Sequence, residues 1–200
     1  MPTIKQRIKK TIAYTLITAQ LLLPNFVKAQ NTTVITSEIS YNGPLTLKIK
    51  PSYNKKEEKE KSQLELLVGK TIKKESLKTG IYADAKSDLE QTAWVGIRGE
   101  GDYKIKNFHI GLQLRYFFGL NKKSENHFYY IPYIMQNLTK KLRIGVWDYA
   151  KQDYKNKKGF SYLGPLVVYS FNKNIGILMH YGKDIKNKGN LTYLKLNLKF

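Results

Sequence analysis

Residues 108–117, FHIGLQLRYF, alternate strictly: Phe108, Ile110, Leu112, Leu114 and Tyr116 fall on one face, His109, Gly111, Gln113 and Arg115 on the other. A period of two predicts a β-strand with one apolar face. The same period recurs at 93–100, where Ala93, Val95 and Ile97 oppose Trp94, Gly96, Arg98 and Glu100. It recurs at 142–147, with Leu142, Ile144 and Val146 against Arg143, Gly145 and Trp147. At 175–182 Ile175, Ile177, Met179 and Tyr181 oppose Gly176, Leu178, His180 and Gly182. HFYYIPYIMQ carries aromatics on both faces, and FSYLGPLVVYSF is apolar on both. The chain closes on LTYLKLNLKF, an alternating strand whose last residue is Phe200. No segment shows a helical period, so the chain is predicted to be all-β.

The segments between strands alternate in length. GDYKIKN, NLTKK and FNKN are tight; KKESLKTGIYADAKSDL, GLNKKSEN, KQDYKNKKG and KDIKNKG are longer and Lys-rich. Short turns alternating with long loops are the pattern of a transmembrane β-barrel. Eight strands are predicted, at 63–73, 89–101, 104–118, 127–138, 141–151, 160–171, 174–184 and 190–200, closing an antiparallel up-and-down barrel. An even count places both barrel ends on the side of the short turns. Residues 30–62 read as a charged segment of different character, flexible around NKKEEKEK, although TVITSEIS and LTLKIK could each form a strand. Recruiting both gives a ten-strand alternative. Tyr116, Phe117, Phe118, Phe128, Tyr129, Tyr130, Phe160 and Tyr162 bracket the long loops; Tyr169, Phe171 and Phe200 lie at the other rim, as two aromatic belts would.

The N-terminus adds an address. MPTIKQRIKK is basic, residues 11–27 are largely apolar, and Val27 and Ala29 stand where a signal peptidase selects small residues. Residues 1–29 are therefore expected to be a cleaved signal peptide, 30–62 the charged segment and 63–200 the barrel, located in a bacterial outer membrane. The net charge is +20, of which residues 1–29 contribute five cations and no acid. The remaining excess favours anionic partners such as lipid headgroups and lipopolysaccharide. Nucleic acid is disfavoured by the export signal and by aromatics set in belts rather than on one interleaved basic face. Absence of cysteine excludes disulfides and thiolate metal sites. No HExxH, P-loop or acidic cation-binding cluster is present, so no metal or cofactor is expected.

The terminal strand resembles that of bacterial outer-membrane barrels, in which alternate apolar residues lead to a final Phe. With the signal, the even count and the asymmetric loops, it places the chain near the small eight-stranded barrels of the OmpA/OmpX type. The resemblance implies that Tyr193, Leu194, Leu196, Leu198 and Phe200 are read by the barrel-assembly machinery. MHYGKDIKNKG is also somewhat similar to the HxSN segment of lipid A deacylase barrels. There the His and a following Ser work with a Glu of the final strand. His180 matches the His, but Gly182 stands at the Ser position and residues 190–200 hold no carboxylate.

Polar residues on the face opposite the apolar stripe are candidates for a lumen network: Arg98, Glu100, His109, Gln113, Arg115, Arg143 and His180, with Lys195, Asn197 and Lys199 of the last strand. Ser124, Glu125 and His127 lie close together in an outer loop, and His180 is the candidate base. Lys122, Lys123, Lys155, Lys157, Lys158, Lys186 and Lys188 of the long loops are candidate anion-binding residues. The expectation is a non-enzymatic outer-membrane barrel serving envelope integrity or surface interaction through these lysines. The alternatives are a hydrolase of lipid A or phospholipid, with Ser161 or Ser170 as nucleophile, and a narrow pore. A soluble periplasmic barrel or sandwich would need its outer apolar stripe covered.

Overall fold

The computed structural model describes residues 32–56, 59–88, 92–154, 159–187 and 189–200. The signal segment 1–29 lies outside them. Among the described residues the chain forms eleven strands. These are β1 (Thr32–Asn42), β2 (Thr46–Lys56), β3 (Lys59–Lys74), β4 (Leu77–Ser87), β5 (Ala93–Ile105), β6 (Phe108–Gly119), β7 (His127–Asn137), β8 (Leu142–Asp153), β9 (Gly159–Ser170), β10 (Ile175–Asp184) and β11 (Asn190–Lys199). Each pairs with its sequence neighbour, and β1 pairs with β11 to close the barrel.

The closure is parallel, with Thr32 opposite Leu191 and Ser40 opposite Lys199. An odd count requires this, because the first and last strands of an up-and-down sheet then run the same way. The start of β1 and the end of β11 consequently lie at opposite rims. One rim, the turn end, carries the connections 42–46, 74–77, 105–108, 137–142 and 170–175 together with Phe200. The other, the loop end, carries the short connection 56–59 and the longer ones 87–93, 119–127, 153–159 and 184–190 together with Thr32.

The count corrects both sequence-based numbers, eight and ten. The segment 30–62 supplies β1, β2 and the start of β3, so the barrel begins at Thr32 and not at residue 63. The third addition is β4, which lies within the segment expected to be a Lys-rich loop. Its inward positions are Lys78, Gly80, Tyr82, Asp84 and Lys86, and its outward ones include Thr79, Ile81, Ala83 and Ala85. The inward face is charged and the outward face is largely small, so the alternation has little hydrophobic contrast. The turn before it is tight, with Glu75 at φ 45°. The two-residue turn between β5 and β6 similarly holds Lys106 at φ 50°.

Alternation assigns the outside. From β2 to β10 the outward side chains include Leu47, Leu66, Val68, Ile81, Ile97, Ile110, Leu114, Ile134, Val146, Leu163 and Met179, all exposed; Ile81 is 70% and Ile97 62% exposed. On β1 the outward Ile35 and Ile39 are buried, and on β11 Leu194, Leu196 and Leu198 are part-buried. Outward aromatics gather at the rims: Tyr103, Phe108, Phe171 and Phe200 at the turn end; Phe118, Tyr130, Tyr154 and Tyr181 at the loop end. The belts differ from the expectation in one respect. Phe117, Tyr129, Phe160 and Tyr162 occupy inward positions. Among the described residues no helix is long and apolar enough to cross a membrane.

Candidate functional site

The interior is divided. The wall from β1 to β6 carries charge; the wall from β6 to β9 carries the apolar core of Phe117, Tyr129, Ile131, Met135, Trp147, Leu166 and Val168. On the charged wall Arg98 of β5 is fully buried and pairs with Asp84 of β4 at 3.0 Å and with Glu65 of β3. Lys50 reaches Glu38 at 3.4 Å and Glu65 at 3.7 Å. Lys195 donates to Glu38 at 2.6 Å, which ties the closing strand to β1. Lys48 donates to Glu100 at 2.9 Å and lies 4.2 Å from the centre of the Tyr82 ring. Tyr82 and Gln113 also donate to Glu100, at 2.8 and 3.2 Å. Arg115 donates to Gln113 at 2.7 Å and meets Glu65 at 3.4 Å. Each charge of this network has an opposite charge beside it, which offsets the loss of hydration.

Inward glycines make room for the large polar side chains. A Cβ at Gly69 or Gly80 would strike the Tyr82 ring, and one at Gly111 would strike Tyr133. Tyr133 donates to Asp102 at 2.7 Å, and Asp102 also pairs with His109 at 3.0 Å. Bare backbone beside a bulky ring is how a narrow lumen fits it.

Toward the loop end the interior is filled with rings. Phe117 and His127 lie with centroids 5.1 Å apart, Tyr129 and Tyr149 5.6 Å, Tyr149 and Phe160 5.7 Å, and Trp147 and Tyr193 5.2 Å. Lys86 sits over this cluster, 5.7 Å from the Trp94 and Tyr129 centroids. Toward the turn end a cavity of about 880 Å³ remains open. Its mouth carries Lys78, Lys104, Arg143 and Lys199, and its inner end Ile131, Trp147, Leu166, Leu178 and Tyr193. An eight-stranded barrel would be filled by its side chains; the three further strands leave this space.

The structure brings Arg98, Glu100, Gln113 and Arg115 into one network and places His109 and Arg143 at the vestibule. His180 stands apart. Its Nδ1 lies 3.0 Å from the Pro165 carbonyl, and its ring is 5.0 Å from that of Trp147. Ser161 is on the outward face and donates to Asp148 at 2.7 Å. Ser170 is inward but lies four residues beyond Leu166, the partner of His180, which is roughly 13 Å along the strand. Neither serine meets His180 as a nucleophile must meet its base. In the outer loop Ser124 donates to Asn121 at 2.7 Å, and His127 bonds the Glu125 carbonyl, not a carboxylate. The described residues hold no group of three His, Cys, Asp or Glu side chains fit to bind a metal.

Of the loop lysines, Lys122, Lys123 and Lys186 are exposed at the loop end; Lys155, Lys157, Lys158 and Lys188 lie outside the described residues. The loop holding Lys186 is ordered by Asp184, which accepts the backbone N–H groups of Ser161, Lys186 and Asn187. Tyr193 faces inward, whereas Leu194, Leu196 and Leu198 face outward, and the Phe200 N–H donates to the Ser40 carbonyl at 2.9 Å. Sequence reasoning missed Glu38, Lys48, Lys50, Tyr82 and Asp84, from segments it did not assign to a strand, and also Glu65, which lies in its first predicted strand, 63–73. The alternation of Leu47 and Ile49 with Lys48 and Lys50 was the available signal. No protein-family model matches the chain, and no curated protein matches it significantly.

Proposed function

We propose that the chain is an outer-membrane β-barrel of eleven strands, exported by residues 1–29 and sealed across its lumen. It serves the envelope as a non-enzymatic barrel that presents cationic loops to lipopolysaccharide or an external partner. The observation that carries this reading is the inversion of polarity. Large apolar side chains are exposed around most of a closed wall, while the inside buries a network of ion pairs and hydrogen bonds beside an aromatic core. A bilayer rewards that arrangement and water does not. Aromatic side chains at both rims support the same reading, since they suit the lipid–water boundary. The ring cluster at the loop end supports a non-conducting barrel, and the isolation of His180 favours a non-enzymatic one. Loop length orients the barrel, with the loop end and its lysines outside and the turn end in the periplasm.

Gel mobility of detergent-extracted protein, boiled against unboiled, tests the proposal. A compact, faster band that shifts on boiling is expected. Processed protein that stays dissolved without detergent would overturn it.

A further inference from the structure

We propose that the vestibule at the turn end binds a small amphipathic anion: an aliphatic chain bearing a carboxylate or phosphate head. The cavity's volume of about 880 Å³ lies within the range of small-molecule sites. Its two ends differ in chemistry. The inner end, on β7 to β11, is lined by Ile131, Trp147, Leu166 and Leu178, which offer an aliphatic chain a dry contact surface. The mouth carries Lys78, Arg143 and Lys199, and no carboxylate among the described residues pairs with any of them. The deeper cations Lys48, Lys50 and Lys195 each already have a carboxylate partner, Glu100 for Lys48 and Glu38 shared by Lys50 and Lys195.

This division selects the ligand. A compact polyanion would have to push its second charge past the acids of the network or against the apolar wall, and both cost free energy. A neutral lipid would leave the cations of the mouth unused. One negative head with an apolar tail satisfies both ends. The Trp147 indole N–H, at the inner end, has no acceptor among the described residues. Trp147 therefore lies where an occupant would register, and the chain has only two tryptophans.

The test uses the processed protein in lipid nanodiscs, with Trp94→Phe to leave Trp147 as the single emitter. Octyl phosphate, octanoate and octanol are titrated in turn while emission is followed. Saturable change is expected with either anion, at concentrations about tenfold or more below octanol, the worth of one charge-assisted hydrogen bond. Arg143→Gln with Lys199→Gln is expected to weaken the anions by a similar factor and leave octanol unchanged. Lys122→Gln with Lys123→Gln, at the opposite rim, is expected to change nothing. Equal potency of octanol and the anions overturns the proposal on the unmutated lumen. So does undiminished anion binding by an Arg143→Gln, Lys199→Gln barrel that keeps its heat-modifiable band. The band reports barrel and membrane residence separately, so failure of the ligand proposal is distinguishable from failure of the functional one.

Discussion

Arg98 shows how single residues hold this barrel together. It is a fully buried guanidinium between two carboxylates, Asp84 and Glu65, from two neighbouring strands. Its removal leaves the buried Asp84 carboxylate without its ion pair, while Glu65 keeps Lys50 and Arg115. Arg98→Met is expected to destabilise the barrel by about 3–5 kcal/mol, measured by urea unfolding from lipid vesicles. Gly111 works by absence. Gly111→Val would drive Tyr133 from its place and break its hydrogen bond to Asp102, at a cost of about 1–3 kcal/mol in the same assay. An unchanged unfolding midpoint would show that Tyr133 has a second low-energy position. Lys106 holds a left-handed backbone without being glycine, so Lys106→Gly should be neutral or stabilising by up to about 1 kcal/mol.

At the scale of elements, β4 and the closing pair decide the count. β4 reads as a loop because its charges face a polar lumen and its outward residues are small. Single cysteines from Thr79 to Lys86 probe it cleanly, since the chain has none of its own. Labels on Thr79, Ile81, Ala83 and Ala85 are expected to be quenched by a lipid-borne quencher, and labels on Gly80, Tyr82 and Asp84 to be protected. Uniform quenching along the segment would return it to a loop. The parallel pair of β1 and β11 makes a second prediction. Epitope tags before Thr32 and after Phe200 should be accessible from opposite faces of the membrane, because those residues lie at opposite rims. Tags on one face would mean an even-stranded barrel.

For the whole molecule, the decisive property is that the interior is blocked at the loop end and open at the turn end. Planar bilayers containing the protein are expected to stay electrically silent. Truncating three rings together, Phe117→Ala, Tyr149→Ala and Phe160→Ala, should open discrete conductance steps. Silence of that triple variant would assign the seal to the ion-pair network around Arg98.

The sequence alone determined the all-β class, the strands from 104 to 200 within a few residues, the long and short connections from 119 onward, and the inward side of Arg98, Glu100, Gln113 and Arg115. All of these follow from a period of two read locally, because successive side chains of a strand must point to opposite faces. What only the tertiary structure decided was the number of strands, the parallel seam and the open vestibule. It also decided which aromatics form belts and which, like Phe117 and Tyr129, form the plug. The reason is that Lys48, Asp84 and Lys86 look like solvated surface until a closed wall supplies Glu100 and Arg98 to receive or flank them. Likewise, neighbouring aromatics are indistinguishable along the chain until closure fixes which of them face inward.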